Sequence, residues 1–161
     1  SHSQISYAVF CLKKKNEPVT LTVTRDFVAS PERVFDAWLD PVVAQRFLFA
    51  TSGGEMLTCE IDARVGGSAL IVERRPAGDA RHRLRFEVIE RPGRLVFLFG
   101  ADPAPEGEWT RVTIGITPLG AGARLTLTHE MDPQWAAYAD RTREGWAMIL
   151  QSLERNLNDH G

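Results

Sequence analysis

The sequence predicts an α+β fold in which seven antiparallel strands pack against one long C-terminal helix, with two short helices after the first strand. Three observations predict it. Between Asp132 and Asn158, Trp135, Tyr138, Thr142, Trp146, Ile149, Leu150, Leu153 and Leu157 recur at three- and four-residue steps, the period that gathers side chains on one helical face. Between Glu55 and Met131 that period is absent, and short apolar runs alternate with Gly, Pro and Asp turn signals. Between Val19 and Phe47 an alternating run leads straight into two helix starts.

In chain order, residues 1–17 read as a leader outside the fold and residues 18–161 as a single domain. Ser1-His2-Ser3 resembles a tag remnant, and the apolar run Ile5 to Leu12 precedes Lys13 to Lys15 instead of following them, the wrong order for a secretion signal. A cytoplasmic location is expected. Val19, Leu21 and Val23 then alternate with Thr20, Thr22 and Thr24 as a first strand reaching about Val28. Ser30-Pro31-Glu32 supplies a hydroxyl cap, a proline at the first helical position and an acid in the first turn, while Val34, Phe35, Trp38 and Leu39 form the apolar face. Asp40-Pro41 ends that helix and opens a second, through about Phe47.

Six further strands follow at Leu57 to Val65, Ser68 to Arg74, Arg81 to Glu90, Leu95 to Phe99, Thr110 to Thr117 and Ala123 to Met131. Mostly short turns join them, which makes neighbours antiparallel and leaves one face buried. Alternation puts Leu84, Phe86, Val88, Val112, Ile114, Ile116, Leu125, Leu127, His129 and Met131 on the buried side. Asp132 caps the closing helix, predicted from Pro133 to Asn158, and Gly145 in its middle implies that another group comes close there.

Composition narrows the function. With 43% hydrophobic residues the chain can bury an adequate core, and a formal charge of −2 disfavours nucleic acid or an anionic membrane surface as the main partner. Cys11 and Cys59 have no second thiol or imidazole at ligand spacing, so neither a disulfide framework nor a metal site is expected. Arg74, Arg75, Arg81, His82, Arg83 and Arg85 are interleaved with Glu73, Glu87 and Glu90 and read as a self-compensating solvated face. No nucleophile elbow or paired-carboxylate spacing occurs, and Ser68 after Gly66-Gly67 reads as turn chemistry.

Four ordered blocks carry a family resemblance. Thr24-Arg25-Asp26-Phe27 with Ala29 to Trp38, Asp62 to Gly67, Glu90 to Phe97, and Arg124 to Glu130 followed by Glu144-Gly145-Trp146 resemble the proteins similar to the activator of Hsp90 ATPase, within the START and Bet v 1 superfamily. The resemblance spans about Val19 to Leu157. It implies a helix-grip fold, a curved sheet wrapped around the C-terminal helix, often with an apolar cavity between them. In such a cavity the leading expectation is a small apolar or aromatic ligand and no cofactor, with Trp38, Phe47, Met56, Phe86, Ile114, His129, Met131, Trp135 and Trp146 nearby. A polyketide cyclase or aromatase-like enzyme is the alternative, with His129 as its candidate general acid or base because it is the histidine that alternation turns inward. A co-chaperone contact with an Hsp90-type ATPase follows from the family name alone. The separate N-terminal domain of the eukaryotic activators is not expected here.

Overall fold

The structure is a computed structural model that describes residues 18–159, so the leader read at residues 1–17 lies outside the described residues. Seven strands form one sheet: β1 (Val19–Phe27), β2 (Glu55–Ile61), β3 (Ser68–Arg75), β4 (Gly78–Glu90), β5 (Arg94–Ala101), β6 (Thr110–Leu119) and β7 (Gly122–Met131). Their spatial order is β1-β7-β6-β5-β4-β3-β2, and every pairing is antiparallel. The predicted count and direction hold. The long-range join is β1 to β7, in which Leu21 lies opposite His129 and Phe27 opposite Ala123.

Helices α1 (Pro31–Ala37) and α2 (Pro41–Phe47) follow β1, and both caps form as the sequence requires. Ser30 Oγ accepts the Arg33 N–H at 3.3 Å, and Asp40 Oδ1 accepts the Val42 N–H at 2.9 Å. Trp38, at the end of α1, is buried edge-on against Phe47 with ring centroids 5.2 Å apart, and its indole N–H has no partner among the described residues.

The closing helix departs from expectation at its start. Asp132 does cap it, accepting the Gln134 N–H at 2.9 Å, but Pro133–Tyr138 is a 3₁₀ turn and the α-helix α3 runs Ala139–Asp159. A 3₁₀ turn has about three residues per turn, so Trp135 and Tyr138 meet each other, ring centroids 5.7 Å apart and planes tilted by 54°, and leave the face that α3 buries. Both are about half exposed. The α3 stripe that reaches the sheet is Trp146, Leu150, Leu153 and Leu157.

Between sheet and helix the space is filled. Leu21, His129, Val112, Phe97 and Phe86 form one inward row across five neighbouring strands, and all are buried. This dense row positions the site, because a cleft opens beyond it, at Phe99, between the segment after α2 and the helix.

Candidate functional site

The site begins with three inward side chains on the β3–β4 hairpin. Register places Ile71 opposite His82 and Ala69 opposite Leu84, so Glu73 and Arg75 share the inward parity of Ile71, and His82 that of Leu84 and Phe86. Two members of the arginine-rich stretch thus belong to the interior. The remainder behaves as the solvated face foreseen: Arg81 and Arg83 both hold Asp102 at 3.0 Å, and Arg74 sits between Glu55 and Asp79.

Glu73 is 2% exposed, and a carboxylate at that depth requires partners. It has three. Thr51 donates both its backbone N–H and its hydroxyl at 2.7 Å, and Arg75 Nε donates at 2.7 Å. Burial opposes ionisation, but the bonds from Arg75 and Thr51 outweigh it and hold the carboxyl below its ordinary value. Arg75 Nη2 also donates to the Phe49 carbonyl at 3.3 Å. This network ties the segment Phe49 to Ser52 across the top of the sheet.

The segment carries strain. Phe49 has φ +55°, a left-handed conformation that costs a non-glycine residue about 1–2 kcal/mol. Packing offsets it: the Phe49 ring stacks on His82 with centroids 4.0 Å apart and planes 6° from parallel, and lies 5.4 Å from Phe99. Gly54 follows because nothing larger fits, since a Cβ there would lie 2.5 Å from the Glu73 Cδ and Oε2. That carboxylate is pinned by three bonds and cannot swing away. Gly54→Ala is therefore expected to destabilise the protein by about 1–3 kcal/mol through overpacking, read as a lower urea midpoint with unchanged slope.

Between this segment and α3 lies a cleft of about 400 Å³. Phe49, Phe99, Trp146, Met148 and Ile149 supply its apolar walls, and Gly145 leaves a gap in the helical one. Thr51, Arg75, Thr142, Ser152 and Arg155 supply polar groups at the margin. Gly145 corrects an expectation: a Cβ there would meet nothing within 4 Å, so the glycine opens the cleft and admits no close neighbour. A broader depression of about 630 Å³ lies on the outer sheet face, where Glu87 and Glu130 already pair with Arg111.

Of the residues expected at a pocket, Trp146 lines this cleft. Trp38, Phe47, Phe86 and Ile114 are wholly buried in the core, Met131 is buried at the end of β7, and Met56 packs half-buried against the core. Trp135 stands on the outer surface. His129 is buried beneath the cleft, and both ring nitrogens are engaged. The Trp146 indole N–H, which can only donate, reaches His129 Nδ1 at 3.0 Å. The proton therefore sits on Nε2, which donates to Thr110 Oγ1 at 2.7 Å. Burial pushes the imidazole down to about 4. A neutral ring with both nitrogens bonded inside the protein has no free lone pair for a substrate proton, so the chemistry it performs here is to fix the Trp146 indole as the cleft floor.

Sequence reasoning missed Phe49, Phe99 and His82. For His82 the signal was present, since it shares parity with Leu84 and Phe86, but the surrounding arginines masked it. Burial and the nearby Arg75 charge push His82 also to about 4.

The seven-stranded curved sheet closed over one long helix, with two short helices after its first strand, defines the helix-grip class. The chain belongs to the activator of Hsp90 ATPase homolog 1-like family, whose profile matches residues 28–158. Solved structures agree. Protein CV1439 from Chromobacterium violaceum is 28% identical, with a TM-score of 0.74 over 86% of this chain and 96% of its own. Protein SA2116 from Staphylococcus aureus has the same fold at 14% identity, with a TM-score of 0.79 over 90% of this chain and 96% of its own. The AHSA1-like protein from Aeromonas hydrophila is 21% identical, with a TM-score of 0.75 over 89% of this chain and 94% of its own. None of the curated proteins matches the chain. Among the described residues no helix is long and apolar enough to cross a membrane, and no cluster of three potential metal-ligating side chains occurs.

Proposed function

We propose that this protein binds a small apolar or aromatic molecule in the cleft between α3 and the Phe49 to Ser52 segment. The observation that carries the reading is the cleft itself, about 400 Å³ with aromatic and aliphatic walls and a few polar groups at its margin. That volume lies within the range of about 300–1,000 Å³ usual for small-molecule sites. The family is broadly associated with hydrophobic ligands, which agrees. Flat rings at Phe99 and Trp146, held 5.7 Å apart and tilted 69°, offer two faces against which an aromatic ligand stacks.

Gly145 gives the test. Replacing a mid-helix glycine improves helix propensity by a few tenths of a kcal/mol to about 1 kcal/mol, and the position has open space, so Gly145→Phe is expected to fold and to occupy the cleft with its own ring. In calorimetric titrations with the neutral probe 2-(2-naphthyl)ethanol, the unsubstituted protein is expected to bind and Gly145→Phe to lose at least tenfold in affinity. Equal binding by the two proteins would refute the proposal.

A further inference from the structure

We infer that the ligand of this cleft is an amphipathic anion, an aromatic or short aliphatic group bearing a carboxylate, whose apolar part lies on Phe99 and Trp146 and whose charge meets Arg155 and Arg75. The inference rests on the ligand-binding reading above and adds the chemistry of the head group. Its first support is the charge of the lining. Thirteen residues surround the cleft; two are arginines, and none is an acid. In a chain with a formal charge of −2 that local balance is the reverse of the global one.

The second support is how those arginines are used. Several arginines elsewhere are matched, Arg25 to Glu154, Arg91 to Asp36, Arg111 to Glu87 and Arg124 to Asp26, while Arg141 meets only the Tyr138 ring among the described residues. Arg155 has no hydrogen bond or ion pair among the described residues, and the adjacent Glu154 is turned away to Arg25. Ser152 lies three residues earlier on the same helical face and also lines the cleft, so a hydroxyl and a guanidinium stand side by side there. On the opposite wall Arg75 spends two of its five N–H donors on Glu73 and Phe49, leaving others for a group in the cleft. A carboxylate fits that pairing, since its two oxygens accept from a planar guanidinium fork and a hydroxyl together. Glu73, the buried acid that Arg75 touches, is already paired with it at 2.7 Å.

The test compares 2-naphthylacetate with 2-(2-naphthyl)ethanol, which share ring and chain and differ in charge, by calorimetric titration at low ionic strength. Arg155 is solvent-exposed, so the preference expected for the anion is about fivefold, narrowing as salt is raised to 0.5 M. In Arg155→Gln, an exposed helical substitution that leaves the core untouched, the ratio of the two affinities is expected to fall by about half or more, the remainder being the share of Arg75. An alcohol that binds as tightly as the acid would overturn the inference and leave the ligand-binding reading standing. So would a preference for the acid that is undiminished in Arg155→Gln, since the charge would then be read elsewhere. Failure of both compounds to bind would overturn both readings.

Discussion

Trp146→Ala is expected to cost the protein about 3–5 kcal/mol, the largest loss foreseen for a single substitution at the site. Two effects combine. The indole is 3% exposed and packs against Phe99 and Phe49, each with centroids 5.7 Å away, so its removal joins new empty volume to the cleft. It also donates to His129 Nδ1 at 3.0 Å, and its loss leaves a buried acceptor unpaired, a cost of about 1–3 kcal/mol. Trp146→Phe separates them, since it keeps most of the ring and loses only the N–H; about half the alanine loss is expected, measured by urea unfolding at pH 7.5. Equal stability of Trp146→Phe and the parent would show that the indole–imidazole bond contributes nothing.

Mild acid is expected to destabilise the fold through its two inward histidines. His129 and His82 fall from an ordinary value of 6.5 to about 4 in the folded protein. The unfolded chain therefore binds protons that the folded one refuses, and stability present above about pH 6.5 is lost as pH falls from there to about 4. By pH 5 the loss is on the order of 2 kcal/mol for His129 and less for His82, which has more solvent contact. Glu73 works in a lower window, because its carboxyl is held below the ordinary 4.5 and its stabilisation is lost only as pH falls further. Comparing urea midpoints at pH 7.5 and pH 5 checks this. His82→Phe keeps the stack on Phe49 and should reduce the difference, and a midpoint that does not move with pH would contradict the account.

What could be read from sequence divides along physical lines. Strand parity, caps and turn chemistry are local, so the seven strands, the Ser30 and Asp132 caps, the helix boundary at Asp40-Pro41 and the inward His129 were all legible. The Pro133 start of the long helix misled, because a period of three and a period of 3.6 are indistinguishable over six residues and Trp135 with Tyr138 suits either. Candidate pocket residues were chosen for being aromatic and inward, a rule that finds core and cleft alike. Trp38, Phe47 and Phe86 satisfy it and are core. The cleft instead depends on Phe49 adopting φ +55° and on Glu73 capturing Thr51 twenty-two residues away, contacts that no periodicity encodes. Gly145 was visible as an anomaly, but whether it admits a neighbour or leaves a gap is decided by tertiary packing.

The proposal that a ligand sits between α3 and the Phe49 to Ser52 segment is tested most directly by mapping backbone and indole NMR shifts while 2-(2-naphthyl)ethanol is added. The account predicts the largest changes at Thr51, Gly145, Ile149 and the Trp146 indole N–H. Changes confined to Glu87, Arg111 and Glu130 on the outer sheet face would contradict it.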